Sequence, residues 1–322
     1  MLRGGRRRVF HGGIPFPQRI ASIIRMPVAP EMSVIVMTYD RPWELRACLG
    51  SLAAQSFARE RFEVVVVDGS STPTAPLDEE FRGSLNVNHL VRQNAGVAVA
   101  RNRGARAAQA AFLAFLDDDC LASPDWLEKM HRVLRARPRD LVGGGVANGA
   151  TENVFAVAGQ AIAEAVDDFY NPPGADPRFF PGLNFAVGRD LYLSIGGCDE
   201  GFGFLAAEDR DFMDRWRIAG YGLVKCHDAI VRHLHRGSLR GFASQYFNYG
   251  RGAAHYHRLR RLRGSGKMSE DTKLHRQLLR HFRDPLQRVP PRQRVQVMAL
   301  LGLWQAANLA GFVFQAARRG DI

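Results

Sequence analysis

Short apolar, β-branched runs alternate with segments of helical periodicity through the first half of the chain. Runs of this kind predict buried strands, and the apolar spacing between them predicts helices. Because the two types alternate, we expect an α/β fold with a mainly parallel central sheet, right-handed crossovers and flanking helices. The predicted strands are 33–37, 62–68, 85–91 and 112–116, and the predicted helices start near Pro42, Ala95 and Pro124, the last with Ser123 as its N-cap.

Polar residues gather where these predicted strands end. Thr38, Tyr39 and Asp40 follow the first strand. Asp68 ends the second strand, and three consecutive aspartates at 117–119 follow the fourth. The carboxyl ends of parallel strands meet at one edge of a sheet, which is where ligands bind. Adjacent carboxylates repel one another, so a cation or a catalytic task is expected to compensate. An acidic surface turn would explain the three aspartates alone, but the convergence favours a binding site.

The charge is unevenly distributed along the chain. The net charge of +12 combines +5 for residues 1–31, −7 for residues 32–231 and +14 for residues 232–322. Basic ends suit an anionic partner such as a membrane surface, a nucleic acid or a phosphorylated ligand, and a solvated basic surface is the alternative. We therefore expect a basic, disordered arm at 1–31, a central domain at 32–237 and a basic helical extension at 238–322.

Several functional classes lack their sequence signatures. The chain has no Gly-rich P-loop, and no dinucleotide-binding Gly-x-Gly-x-x-Gly follows the first strand. Its four cysteines lie far apart, which argues against a disulfide framework or a thiolate zinc site and fits a reducing compartment. Residues 1–31 lack the apolar run of a secretory signal. No RNA-binding signature is present, so nucleic acid is not expected as a partner.

The segment 295–317 comes nearest to a membrane-spanning pattern, although polar residues interrupt it. Gln305, Asn308 and Gln315 fall within one sector of a helix, and Arg318 follows the segment. This pattern is typical of a helix that lies in a membrane interface, and equally of one that docks on the protein itself.

Six motifs of the central region occur in a fixed order: "SVIVMTYDRP", "VVVVDGSS", "NAGVAVARNRGA", "FLDDDCLASPDWL", "GLNFAVGRDLYLSIGGCDEGFG" and "AAEDRDFMDRWRIAGYGL". Together, over about residues 33–252, they resemble the motifs of family 2 glycosyltransferases, which are inverting enzymes of the GT-A type. The resemblance implies a GT-A-like nucleotide-diphospho-sugar transferase fold, with a donor half at about 32–120 and an acceptor half at about 121–237. It also implies a UDP-, GDP- or dTDP-linked sugar donor and a carbohydrate or lipid-linked acceptor.

The resemblance assigns donor-side roles to residues at the first strand ends. It implies that Thr38, Asp40 and Asp68 line the nucleotide base and ribose, with Tyr39 in the same donor site. Arg101 would help to position the base or the diphosphate.

The aspartate run matches the DxD region of the family. The resemblance implies that Asp119 coordinates Mn²⁺ or Mg²⁺ bridging the diphosphate, while Asp117 or Asp118 faces the ribose and the sugar. A histidine of "AIVRHLHRGS" would complete the metal or diphosphate site, and the spacing favours His233 over His235. A pair of solvated histidines is the alternative.

On the acceptor side, the resemblance implies that Asp209 is the general base and that Glu208 is its neighbour. Acids at a helix start would also explain this pair, and the two interpretations are compatible. Asn184 and Asp199 are further acceptor-side predictions. The acceptor hydroxyl has a pKa far above 7, so a positioned carboxylate must take its proton as the attack proceeds.

Two other functions stay open at this point. A nucleotidyltransferase would also use a carboxylate-bound metal on an α/β sheet, but it would not need the acids at 208–209. A non-catalytic protein of the membrane surface would use the basic ends and require no metal. For the glycosyltransferase we expect a cytoplasmic location, peripheral on the inner face of the cell membrane if the basic extension meets lipid.

Overall fold

A computed structural model describes residues 29–318, except 75, 92, 94–95, 204 and 235–236. The predicted arm at 1–31 therefore lies outside the described residues apart from its last three, and so does His235. Glu31 forms an ion pair with Arg61, with 2.6 Å between Oε1 and Nε. Arg61 directly precedes a strand of the central sheet, so the first described residues are held against that sheet.

Eight strands form one sheet. In chain order they are β1 (Met32–Thr38), β2 (Phe62–Asp68), β3 (Val87–Val91), β4 (Phe112–Asp117), β5 (Cys120–Ala122), β6 (Leu141–Asn148), β7 (Asn184–Gly188) and β8 (Leu223–His233). Their order across the sheet is β3-β2-β1-β4-β7-β6-β8-β5. The first half is parallel, because β1 pairs with β2 and β4, and β2 pairs with β3.

The second half of the sheet is mixed. β6 and β8 pair in parallel, whereas β7 runs antiparallel to β4 and β6, and β5 runs antiparallel to β8. The predicted α/β architecture is confirmed, and the predicted parallel pairing holds for the first half. The antiparallel strands β5 and β7 were not predicted, because one is only three residues long and the other joins the sheet far from its sequence neighbours.

The described residues form twelve α-helices. They are α1 (Pro42–Ala53), α2 (Leu77–Glu80), α3 (Val97–Ala107), α4 (Trp126–Ala136), α5 (Val154–Tyr170), α6 (Arg189–Ser194), α7 (Glu208–Ile218), α8 (Leu239–Arg263), α9 (Met268–Arg276), α10 (Leu278–His281), α11 (Arg283–Arg288) and α12 (Arg294–Arg318). Pro42 opens α1 in the first helical turn, where its missing N–H costs no hydrogen bond. The predicted N-cap at Ser123 is wrong, since Asp125 precedes α4 and no side chain caps it.

Helices cover both faces of the sheet, as its buried and largely apolar central strands require. Alternate residues of β1 point to opposite sides, so Val34 and Val36 enter one core and Ile35 enters the other. The first core contains the apolar faces of α1 and α4. The second contains residues of α3, α6 and α7, including the fully buried Trp216.

The C-terminal helices pack on the central region. A Cβ atom at Gly250 of α8 would lie 1.9 Å from the Asn308 carbonyl oxygen, and one at Gly311 of α12 would lie 1.9 Å from that of Phe247. Glycines therefore allow the backbones of α8 and α12 to approach closely. The segment predicted at 295–317 is helical and lies within α12. Its inner face, including Trp304, shares a third apolar core with α5 and α8.

Candidate active site

The parallel register brings the first strand ends together. Thr38 of β1 lies opposite Asp68 of β2, and Met37 lies opposite Asp117 of β4. The polar residues that follow these strands therefore meet at one edge of the sheet, as the sequence pattern predicted.

Asp118 is buried directly beyond this edge. Thr38 Oγ1 donates a hydrogen bond to Asp118 Oδ2 at 2.8 Å, and Arg41 Nη1 lies 3.3 Å from Oδ1. Burial raises the pKa of Asp118 to about 7, and the nearby charge of Asp119 adds to this, although Arg41 opposes it. Asp118 therefore depends on a cationic neighbour to remain ionised near neutral pH.

Asp119 contacts two basic side chains from different parts of the chain. Arg41 Nη1 lies 2.9 Å from Asp119 Oδ2, and His233 Nε2 lies 3.1 Å from Oδ1. The antiparallel pairing of β5 with β8 explains the second contact, since it sets His233 opposite Cys120. Burial alone would lower the pKa of His233, but the hydrogen bond and charge of Asp119 outweigh it and raise that pKa.

These residues form a potential metal site. One ligand atom from each of Asp119, Cys120 and His233 lies within 4.8 Å of the other two. Burial, reinforced by the charge of Asp119, holds the pKa of the Cys120 thiol well above its usual value, which makes the thiol a poor ligand. The carboxylate of Asp119 and the imidazole of His233 remain, and this pair fits a divalent cation such as Mn²⁺.

Asp40 and Asp68 shape the loops beyond β1 and β2. Asp68 is fully buried and accepts hydrogen bonds from Ser70 N at 2.9 Å and Thr74 N at 2.8 Å. Burial alone would raise the pKa of Asp68, but these hydrogen bonds lower it. Asp40 has a positive φ of 52° and accepts a hydrogen bond from Ser71 N at 3.1 Å. Contacts of Asp40, Asp68 and the half-exposed Tyr39 with a nucleotide remain predictions.

Asp209 lies in the first turn of α7, after Ala207 in a left-handed conformation with φ 74°. Two backbone amides orient its carboxylate: Gly182 N donates to Oδ2 at 2.8 Å, and Arg210 N donates to Oδ1 at 2.8 Å. The N-terminus of a helix is a favourable place for negative charge. The local structure therefore fixes the orientation of this carboxylate.

Arg101 is buried between the two groups of acids. Its guanidinium donates to Glu208, and its Nη2 lies 3.9 Å from Asp117 Oδ1. Burial opposes its charge, but Glu208 and Asp117 raise the pKa of Arg101 above its ordinary value. Burial raises the pKa of Glu208, with a further contribution from Asp209, while Arg101 opposes the increase. Arg101 thus bridges Asp117 and Glu208, and its contact with the nucleotide base or diphosphate remains a prediction.

A cavity of about 1050 Å³ connects these residues with the C-terminal helices. Its polar end contains Arg101, Asp117, Glu208, Asp209 and His233. Its other walls are largely apolar and come from α5, α8 and α12, including Ala163, Val166, Tyr246, Trp304, Leu309 and Phe312.

Two predicted acceptor-side residues do not line this cavity. Asn184 is fully buried, and its side chain accepts from Trp126 Nε1 at 2.9 Å and donates to the carbonyls of Gly145 and Ala229. Asp199 accepts a hydrogen bond from Gly201 N at 2.8 Å within a short 3₁₀ turn. Both side chains make hydrogen bonds within the protein, and their contact with an acceptor remains a prediction.

Sequence reasoning missed several residues around the site. Arg41, which contacts two of the three aspartates, directly follows Asp40, and its charge beside an acidic cluster was an available signal. The α8 residues Gln245, Tyr249 and His257 also line the cavity. They could not be assigned beforehand, because only the packing of α8 over the sheet edge brings them there.

Comparison with protein families gives a match over residues 33–198 to the family described as glycosyl transferase family 2. Glycosyltransferase AglE of Haloferax volcanii is 30% identical over 211 residues, which are 63% of this chain and 67% of AglE. Validoxylamine A glucosyltransferase of Streptomyces hygroscopicus subsp. limoneus is 40% identical over 117 residues, which are 34% of this chain and only 26% of that relative.

Solved structures show the same architecture at low sequence identity. Mannosyltransferase PcManGT from Pyrobaculum calidifontis, in complex with GDP-Man and Mn²⁺, matches with a TM-score of 0.56 at 19% identity, covering 91% of this chain and 87% of PcManGT. Residues 1–349 of S. aureus TarS, in complex with UDP-GlcNAc, match with a TM-score of 0.52 at 19% identity, covering 90% and 92%. The fold is therefore that of GT-A glycosyltransferases, and by the family match over half its length the chain belongs to glycosyl transferase family 2.

Proposed function

We propose that the protein transfers a sugar from a nucleotide-diphospho-sugar to an acceptor hydroxyl, with inversion at the anomeric carbon and assistance from a divalent cation. One observation carries the proposal. Asp209 and His233 border the same cavity, and His233 is in hydrogen-bond contact with Asp119 at the sheet edge. An oriented carboxylate and a potential cation site thus lie around one space that can hold two substrates.

Asp209 is the proposed general base. Its carboxylate faces the cavity and is held by two backbone amides, so an oxygen can be presented to a hydroxyl in a defined direction. The carboxylate takes the proton of the acceptor hydroxyl as the acceptor oxygen bonds to the anomeric carbon. The bond from that carbon to the diphosphate oxygen breaks, and the nucleoside diphosphate leaves with the bonding electrons. Attack from the face opposite the leaving group inverts the centre.

Asp119 and His233 would hold the cation. A cation bound there would offset the negative charge that develops on the departing diphosphate. Arg101 carries a buried positive charge beside Asp117 and Glu208, which keeps these carboxylates from repelling an anionic donor. Asp118, with Thr38 and Arg41, would complete the donor side of the site.

The donor and acceptor are proposed only by class. PcManGT has been solved with GDP-Man and Mn²⁺, and TarS with UDP-GlcNAc, which supports a nucleotide-linked sugar as the donor here. TarS relatives are named as poly(ribitol-phosphate) β-N-acetylglucosaminyltransferases, which supports a glycan or polyol hydroxyl as the acceptor. A lipid-linked acceptor would suit the apolar part of the cavity.

The test begins with calorimetric titration of UDP, GDP and dTDP, each with Mn²⁺ and with EDTA. We expect one nucleotide to bind only with the cation. The corresponding sugar donors are then incubated with simple glycosides, and proton NMR determines the anomeric configuration of the new glycosidic bond. A product with the anomeric configuration opposite to that of the donor supports inversion. Metal-independent binding, or retention of configuration, would refute the corresponding part of the proposal.

A further inference from the structure

The outward side of α12 is an apolar stripe. Every exposed residue from Met298 to Ala317 is apolar. Leu309, for example, exposes 65% of its surface. At 100° per residue these positions occupy a sector about 160° wide along a helix about 37 Å long. The members of this outer stripe are Val295, Met298, Ala299, Gly302, Ala306, Leu309, Ala310, Val313, Phe314 and Ala317.

Between Met298 and Ala317 the polar residues of α12 face the protein, whereas Gln296 in the first turn is exposed. Gln315 is buried and accepts a hydrogen bond from Arg251 Nε at 3.3 Å, and Gln305 pairs with His275 at 2.9 Å. Asn308 lines the cavity. A helix docked on a protein in water normally has the opposite arrangement, with its polar side outward. The orientation of α12 therefore indicates an apolar medium on its outer side.

The charge around the stripe indicates which apolar medium that is. The exposed residues Arg294 and Arg318 stand at the two ends of α12, and residues 232–322 carry a net charge of +14. A second copy of the chain meeting this face would bring two strongly basic regions together, which like-charge repulsion opposes. An anionic lipid surface would accept both the apolar stripe and the surrounding arginines.

The described chain has one helical segment long and apolar enough to cross a membrane, Pro291–Arg318, with 28% of its most apolar window buried. Its inner face contributes Val297, Leu300 and Trp304 to a core shared with α5 and α8. A helix fixed to the protein along one side cannot also be surrounded by lipid. It is therefore suited to lie along the interface.

We propose that the outer stripe of α12 docks the protein on an anionic bilayer, with the helix in the plane of the interface. Gly302, Ala306 and Leu309 belong both to the stripe and to the wall of the cavity, so the cavity opens at the docking face. A consequence that rests on the proposed glycosyl transfer is that the acceptor is carried by the membrane: its lipid portion enters beside α12 while its hydroxyl reaches Asp209.

The test uses the full chain and sedimentation with vesicles of phosphatidylcholine, with and without phosphatidylglycerol. We expect binding to the anionic vesicles that weakens as the salt concentration rises. The variant Met298→Asp/Val313→Asp places two charges on the stripe outside the cavity wall and is expected to weaken vesicle binding at least about tenfold. Ile218→Asp is the matched control, because Ile218 is also an exposed apolar residue but lies at the end of α7.

Thermal unfolding and nucleotide calorimetry on each variant separate docking from folding and from donor binding. Loss of vesicle binding with unchanged nucleotide affinity supports the docking proposal, whether or not transfer is detected. The proposal is overturned if the wild type does not bind anionic vesicles, or if the double variant binds them as well as the wild type does. It is also overturned if sedimentation velocity shows a dimer in solution that the double variant converts to a monomer.

Discussion

The two groups of carboxylates around the cavity are built in different ways. On the proposed donor side, Asp118 and Asp119 are held by side chains, and one of these, Arg41, has a side chain that is 53% exposed and can be displaced. On the proposed acceptor side, Asp209 is held by backbone amides at a helix start. Side-chain partners can leave when a ligand arrives, whereas backbone donors stay. The first group is therefore suited to exchange partners, and the second to keep one orientation.

The largest expected effect concerns Asp209, the proposed general base. Asp209→Asn keeps the size of the side chain but removes its capacity to accept a proton, so turnover should fall by about 10² to 10⁴. Nucleotide affinity should be unchanged in calorimetry. Asp199→Asn is the control, since Asp199 is an aspartate outside the cavity and asparagine can still accept from Gly201 N. Undiminished activity of Asp209→Asn would favour nucleotidyl transfer.

The next effect concerns the proposed cation site. Asp119→Ala removes a proposed direct ligand, and loss of even an outer contact at a metal site costs about 10- to 100-fold in affinity. We expect nucleotide affinity in Mn²⁺ to fall at least about 100-fold, to the value measured in EDTA. Asp125→Ala, on a nearby exposed aspartate, should leave that affinity unchanged. Equal losses of nucleotide affinity in both variants would show that any removed negative charge has this effect, and would contradict a specific cation site at Asp119.

A smaller effect concerns the contribution of Asp68 to stability. The folded-state pKa of Asp68 is lowered, so this group stabilises the protein above the unfolded-state pKa of about 4 and loses that contribution as pH falls through the folded-state value. Asp68→Asn should therefore reduce the free energy of unfolding by about 1–3 kcal/mol at pH 7, and by less at pH 3.5. Urea unfolding at both values measures the difference. An equal loss of unfolding free energy at the two pH values would contradict a lowered pKa of Asp68 in the folded state.

The smallest expected effect tests whether Arg41 is displaceable. Arg41→Ala removes a positive charge from beside Asp118 and Asp119, and a pair with one exposed partner is worth at most about 1 kcal/mol. Mn²⁺ affinity without nucleotide should therefore rise by up to about fivefold in calorimetry. Arg46→Ala is a control of the same type on α1, where the arginine pairs with Glu80. Weaker Mn²⁺ binding in Arg41→Ala would show that Arg41 organises the site.

The sequence allowed the meeting of polar residues at one sheet edge to be predicted because its signals are local. β2 coincides with the β-branched run 62–68, and parallel pairing then fixes where Asp68 and Asp117 lie. The glycine-rich strand β6 was beyond such reasoning: Gly143 lies under the Phe180 ring, and Gly144 approaches Asn184. Distant residues decide that β6 is a strand. The close approach of Gly144 also explains why Asn184, predicted on the acceptor side, is buried in the core.

The position of Arg101 makes the two sides of the cavity thermodynamically dependent on each other. One guanidinium contacts Glu208 beside the proposed base and lies 3.9 Å from Asp117 beside the proposed donor. A ligand that moves Asp117 away from Arg101 leaves the positive charge of Arg101 less compensated. The electrostatic field beside Glu208, and so at the acceptor, then changes. By thermodynamic linkage, the acceptor must change the free energy of donor binding by the same amount as the donor changes the free energy of acceptor binding. Donor and acceptor affinities are therefore expected to be cooperative, through a single side chain that need not touch either substrate.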